Sequence, residues 1–263
     1  MAKDRITYPL SVLDDLTAPP RDPPMSGSEL LAPIPETDPV MPEIRAFQTS
    51  RGMRSRLSLL RRTTTLELES IKQAYLDAGY AWFGEGEFNL NLFGIRGESS
   101  DPGEFNDLIG VAYVDADGAQ QLRIWPATTD PGRPLLLRPI NVAGTAILVP
   151  GQYPGAYQIG NHRGYEALVQ RGPVRVWRDR NRDAQLDWGD DAGIEGYYGI
   201  NIHRARPKGD TPDVGSYSAG CQVFQSARDF DDMMAIARSA ARRWGPRITY
   251  TLFTADQIPV DLR

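Results

Sequence analysis

Gly199-Ile200-Asn201-Ile202-His203-Arg204-Ala205, followed by Val214-Gly215-Ser216-Tyr217-Ser218-Ala219-Gly220-Cys221-Gln222-Val223-Phe224, is the stretch on which the reading of this chain turns. It holds Cys221, the one cysteine among 263 residues, and His203, one of two histidines. The alternation of Ile200 and Ile202 predicts a strand that ends at His203. Ser218, Ala219 and Gly220 are small, so they predict a tight turn that aims successive N–H groups at one point. A thiol needs a base to become a thiolate, and acyl transfer needs donors where a carbonyl oxygen turns negative. Cys221, His203 and the backbone N–H groups of Gly220 and Cys221 can fill those three roles.

Outward from this stretch, short strands dominate. Phe88 to Ile95 alternates apolar and polar residues. Leu108–Val114 and Gln121–Trp125 flank Asp115-Ala116-Asp117-Gly118, a hairpin turn by composition. Gly144–Val149, Ala156–Ile159, Glu166–Gln170, Val174–Trp177 and Ile248–Phe253 continue the rhythm. Two helices interrupt it. Leu68, Ile71, Tyr75, Ala78 and Trp82 recur at helical steps before Gly79 or just beyond it. Phe230, Met233, Met234, Ala237, Ala241 and Trp244 line one face of a second helix, stopped by Gly245-Pro246. Ser226 and Asp229 have the spacing of a capping box at its start. The expected fold is therefore mainly β (α+β): a twisted sheet or sandwich with flanking helices.

Composition narrows the function classes. A net charge of −5 argues against a broad nucleic-acid footprint. No apolar run reaches the length of a membrane span. A single cysteine excludes an internal disulfide. Residues 1–42 carry nine of the 21 prolines and read as an extended arm. Arg51, Arg54, Arg56, Arg61 and Arg62 follow, predicting a solvated basic face or a contact with an anionic polymer. Residues 1–62 are thus expected to be an extension, and 63–104 a helix and strand packed on the core. The first ten residues lack the apolar centre of a secretory signal.

The spacing His203, fourteen intervening residues, then Ser218-Ala219-Gly220-Cys221 resembles the signature of the L,D-transpeptidase (YkuD-type) family, His followed by Ser/Thr-His-Gly-Cys. Arg123-Ile-Trp-Pro-Ala-Thr-Thr-Asp130 and Val149-Pro-Gly-Gln-Tyr-Pro-Gly-Ala-Tyr-Gln-Ile-Gly160 resemble two of its upstream strands, so the likeness spans roughly residues 105–255. Ala219 replaces the signature's second histidine, and Gln222 and Val223 depart from the residues usual after the cysteine. The resemblance implies a catalytic domain over 105–263 with the family's twisted β-sandwich. It also implies a thioester on Cys221, with His203 oriented by the Arg204 carbonyl, and peptidoglycan stem peptides as partners. The product would be a 3→3 or variant 1→3 cross-link, and carbapenems would acylate the thiolate. Such an enzyme acts in the periplasm or cell envelope and needs no cofactor for its chemistry. Two other readings stay open. One is an L,D-carboxypeptidase or D-amino-acid exchange enzyme, including an exported or phage-related one. The other is a wall-binding module without catalysis.

Further candidates follow from their positions. Ser218 and Tyr217 lie close enough to Cys221 in sequence to bind substrate, although Tyr217 also suits packing. Arg204 can pair with a stem-peptide carboxylate, or simply be exposed. His162 is either a turn histidine or a cleft residue replacing the missing one of the signature. Asp179, Asn181, Asp183, Gln185, Asp187 and Asp190 repeat the oxygen-ligand spacing of an EF-hand-like loop for a structural Ca²⁺, with Ala184 where glycine is expected. The same stretch also reads as an acidic hairpin that binds no ion.

Overall fold

The computed structural model describes residues 67–99, 102–189 and 191–259, so the expectations for residues 1–62 and for Asp190 lie outside the described residues. The described chain is mainly β, as its alternation predicts. Eleven strands are β1 (Asn91–Arg96), β2 (Asp107–Val114), β3 (Gln120–Thr128), β4 (Thr145–Leu148), β5 (Gly151–His162), β6 (Tyr165–Gln170), β7 (Val174–Asp179), β8 (Ile194–Gly196), β9 (Ile202–Arg204), β10 (Gln222–Phe224) and β11 (Arg247–Thr254). Among the described residues three α-helices accompany them: α1 (Leu68–Asp77), α2 (Arg133–Leu137) and α3 (Ala227–Trp244).

Eight strands pair in the closed order β1-β11-β5-β6-β9-β10-β3-β2, and β4-β7-β8 form a separate antiparallel sheet. Ala146, Leu148, Val174 and Val176 of the small sheet share one apolar cluster with barrel residues such as Leu92, Ile109, Tyr157, Leu168, Ile202 and Leu252. The two sheets therefore bury a common core.

The alternation of β1 explains its place. Leu92 faces that core, while Phe93 and Ile95 face a second cluster under α1, with Ile71, Ala74, Tyr75 and Phe253. Both faces are covered, and β1 is hydrogen-bonded to β2 on one side and β11 on the other. Thus the segment before residue 105 supplies an internal strand of the barrel. The strand starts later than its pattern suggests, because Phe88 takes a left-handed φ of 54° and its ring stacks on Tyr113.

β5 is longer than expected, with 12 residues where Ala156–Ile159 was the predicted run. Its first half pairs with β11 and its second with β6, so one strand turns a corner of the barrel. Gly155 at φ 57° and a register shift opposite it supply the bend. The β2–β3 hairpin closes as predicted, with Asp115 Oδ1 accepting from the N–H groups of Asp117 and Ala119.

Helix α3 lays Phe230, Met233, Met234, Ala237 and Ala240 against the barrel. Two details differ from the sequence pattern. Ser226 occupies the N-cap with extended backbone, but its side chain caps no N–H, so the capping box does not form. Trp244 is half exposed, its indole N–H donating to the Glu87 carbonyl at 2.8 Å instead of entering the core.

Candidate active site

β9 and β10 run parallel, with Ile202 opposite Gln222 and His203 opposite Val223. One step back, the Gln222 N–H donates to the Asn201 carbonyl, which brings Asn201 beside Cys221. Opposite residues of paired strands point the same way and successive ones alternate. Cys221, Asn201 and His203 therefore share the outer face, while Ile202, Gln222 and Phe224 point to the interior and are fully buried.

The turn before Cys221 is held internally. Ser218 Oγ donates to the Cys221 carbonyl at 2.7 Å and accepts from the Gly220 N–H at 3.2 Å. The Ser218 carbonyl accepts from Gly132 N–H at 2.8 Å. Gly220 has φ 114°, and a Cβ there would stand 2.2 Å from the Ala146 carbonyl oxygen, so only glycine fits. Two expectations are corrected by this arrangement. Ser218 is fully buried and staples the turn, so it does not face a substrate. The Gly220 N–H, expected at the oxyanion, is directed at Ser218 Oγ. The Cys221 N–H has no partner among the described residues and stays available.

Cys221 Sγ accepts from the Asn201 N–H at 3.4 Å and lies 3.6 Å from the Gly199 carbonyl, to which the thiol can donate. Burial pushes the thiol pKa up, opposed by the Asn201 N–H and the Arg163 charge. Burial also pulls His203 down to about 3, with His162 and Arg163 adding to the effect and the Arg204 carbonyl opposing it. At neutral pH the resting pair is a neutral thiol and a neutral imidazole.

The imidazole's tautomer follows from its neighbours. His203 Nδ1 lies 2.9 Å from the Arg204 carbonyl, which can only accept, so Nδ1 carries the proton. This is the contact the family resemblance implies. Tyr165 Oη donates to the same carbonyl at 3.3 Å and lies 3.4 Å from Nδ1. Nε2 of His203 is left with its lone pair, the form a general base needs.

His162 is brought into the site. It belongs to the tight β5–β6 hairpin, and its ring stacks on that of His203 with centroids 4.3 Å apart. Its pKa is lowered to about 4, mainly by burial and then by Arg163. Arg163 itself sits at the hairpin tip with φ 54°, followed by Gly164 at 91°, and makes no ion pair among the described residues.

Other sequence candidates find different employment. Arg204 pairs with Asp231 at 3.3 Å and lies over the rings of Tyr165 (4.4 Å) and Phe230 (5.8 Å). It braces β9 against α3, with a carboxylate of this chain as its partner. Tyr217 packs with Phe105, Val214 and Val223 beside Cys221. Gln222, which departs from the residue usual after the signature's cysteine, points inward. Its amide donates to the carbonyls of Thr129 and Gly220, both at 3.2 Å, and accepts from Tyr250 Oη at 2.8 Å. Behind it, buried Arg96 pairs with Asp130 at 2.9 Å and donates to the Thr129 and Leu148 carbonyls. The nucleophile turn is thus tied through side-chain hydrogen bonds to the barrel interior.

The residues that sequence reasoning missed are Asn201, Tyr165 and Arg163. Asn201 was within reach, since it stands two residues before His203 on a strand and must share its face.

The acidic loop after β7 is held by its own hydrogen bonds. Asp179 is buried, with Oδ2 accepting from the Asp187 N–H at 3.2 Å, and burial raises its pKa to about 6. Asn181 Nδ2 donates to Asp183 at 3.1 Å and Asp187 at 2.6 Å, and Asp183 Oδ1 accepts from the Gln185 N–H at 2.8 Å. Ala184 adopts φ 63°, the left-handed conformation usually given to glycine. Among the described residues, no three carboxylate, imidazole or thiol groups converge as metal ligands.

No helix among the described residues is long and apolar enough to cross a membrane. No family model, curated protein or solved structure matches the chain. The site offers a thiol, a neutral imidazole on the next strand with its lone pair on Nε2, and a Cys221 N–H without a partner among the described residues.

Proposed function

We propose that this protein is a cysteine acyltransferase of the L,D-transpeptidase type, acting on peptidoglycan stem peptides in the cell envelope. The observation that carries the reading is the placement of Cys221 and His203 on one face of two paired parallel strands, with His203 Nδ1 anchored so that Nε2 is the base. The sequence signature and the mainly β fold support it.

In this reading His203 Nε2 takes the Cys221 proton as sulfur attacks the donor carbonyl. The resting state is neutral on both sides, so proton transfer accompanies attack instead of preceding it. The Cys221 N–H stabilises the developing oxyanion. His203 returns the proton to the departing amine of the terminal D-residue, leaving a thioester. An acceptor amine then attacks the thioester, His203 removes its proton, and the thiol is regenerated as the new amide forms.

The test is product analysis by mass spectrometry with disaccharide-tetrapeptide muropeptides. A cross-linked dimer made by the intact protein and not by Cys221→Ala is the expected result. Tripeptide with free D-alanine and no dimer would replace transfer by hydrolysis. No product, together with no carbapenem adduct at Cys221, would overturn the enzyme reading.

A further inference from the structure

The site holds two histidines, and the chemistry above uses one. The second has its protonation fixed by a chain of contacts running back to the backbone. The Gln170 N–H donates to Asn201 Oδ1 at 2.9 Å, and a backbone N–H can only donate. The Asn201 amide is thereby oriented, with Nδ2 turned away from β6. Nδ2 lies 3.1 Å from His162 Nδ1 and is itself a donor, so His162 Nδ1 must accept. The neutral imidazole then carries its proton on Nε2. His203, stacked on it, has the opposite tautomer, with the proton on Nδ1 and the lone pair on Nε2. Two parallel rings thus present one acceptor and one donor.

A second donor beside the Cys221 N–H is what this turn lacks. Of the two N–H groups expected to hold an oxyanion, that of Gly220 is committed to Ser218 Oγ at 3.2 Å. Asn201 joins the two places in question. Its N–H contacts Cys221 Sγ at 3.4 Å and its side chain contacts His162 at 3.1 Å.

We infer that His162 is a further catalytic residue whose Nε2–H donates to the oxyanion formed on acylation of Cys221, in the place of the Gly220 N–H. Asn201 is the positioning residue that sets its tautomer. No proton leaves His162 in the cycle; it donates a hydrogen bond and retains its proton. The inference rests on the acyl-enzyme reading above and adds a role that reading does not need.

Two small probes separate this role from any effect on the thiol. p-Nitrophenyl acetate acylates Cys221 through a tetrahedral oxyanion, whereas iodoacetamide alkylates it by direct displacement with no oxyanion. Both adducts are measured by mass spectrometry on the full chain. His162→Phe keeps a ring to stack on His203 and removes the donor. Acylation is expected to fall by about 100- to 1,000-fold, with the alkylation rate within about threefold of the parent. His162→Gln, which retains an N–H donor, recovers part of the loss. Asn201→Asp puts an acceptor against His162 Nδ1, moves the proton to that nitrogen, and lowers acylation in the same selective way.

Equal losses in both reactions, or no loss in acylation, would overturn the inference. So would a long-range ¹H–¹⁵N NMR spectrum of the parent protein showing His162 protonated at Nδ1, a measurement that needs no variant to fold. Failure of p-nitrophenyl acetate to acylate the parent also refutes it. If acylation behaves as expected while muropeptides give no product, the peptidoglycan reading fails and the role of His162 stands.

Discussion

Replacing His203 by glutamine should remove about 2 kcal/mol of the pH dependence of folding between pH 7 and pH 5. In the folded protein burial holds His203 near 3, whereas in an unfolded chain it titrates near 6.5. Below pH 6.5 the unfolded chain binds a proton that the folded protein refuses, so the stability due to this neutral imidazole is fully present above about 6.5. It is lost progressively as the pH falls toward 3. Integrating from pH 7 to pH 5 gives roughly 1.4 proton-units at 1.36 kcal/mol each, about 2 kcal/mol. The result hardly depends on the folded value so long as it lies well under 5. His162, lowered to about 4, acts with the same sign but is partly exposed, so its share is smaller. Buried Asp107 and Asp130 act oppositely: desolvation raises both, and the folded state gains from acidification. The parent curve is therefore a sum, and the difference between parent and variant isolates His203. Urea unfolding of both proteins at pH 7 and pH 5 gives that difference. If parent and His203→Gln lose or gain stability in parallel, the imidazole is solvated, and the account of a desolvated base is wrong. The same desolvation predicts no acid limb near pH 6.5 in the activity profile.

Gly220→Ala should cost about 2–3 kcal/mol of stability and abolish acylation of Cys221, because its Cβ would meet the Ala146 carbonyl at 2.2 Å in a left-handed backbone. Urea unfolding and p-nitrophenyl acetate labelling read the two effects. Gln222→Leu should destabilise by about 2–4 kcal/mol, since it strands the buried Tyr250 hydroxyl and the Gly220 carbonyl, while the Thr129 carbonyl keeps its bond from Arg96; a calorimetric melt checks it. Arg163→Asn should stabilise by about 0.5–1 kcal/mol, because asparagine tolerates the left-handed φ of 54° in this two-residue hairpin turn. A lower melting temperature would show that the arginine makes contacts its geometry does not suggest.

What could be read from the sequence was what local chemistry encodes. The Asp115–Gly118 hairpin, α1 and α3 follow from turn residues and periodicity, the Arg204 carbonyl meets His203 Nδ1, and Cys221 and His203 stand on neighbouring strands. The length of β5 was hidden by Gly151, Pro154 and Gly155, which look like breaks and act as the bend of a strand that changes partners. Ser218 and Arg204 read from the sequence as substrate-binding residues because of their places near Cys221 and beside His203, and nothing local tells where Gln222 faces. Their real partners, Gly132, Asp231 and Tyr250, come from distant parts of the chain. Facing is a two-state choice along a strand, and one step separates the outward thiol of Cys221 from the inward amide of Gln222. Asn201 has a local signal only for sharing the face of His203, and the contact that joins it to His162 exists only once β5, β6 and β9 are assembled.

The closure of the barrel also sets an order of events during synthesis. β1 finds its parallel neighbour only in β11, where Leu92 faces Tyr250, and β5 needs the same strand along its first half. A chain emerging from the ribosome N-terminus first carries both open edges until β11 has been made. Folding should consequently be slow and strongly dependent on the last strand. Until then the thiol of Cys221 is without the burial it has in the folded protein. A truncation ahead of Arg247 would leave not a slightly smaller protein but an open sheet with two unpaired margins, a species prone to stick to others of its kind.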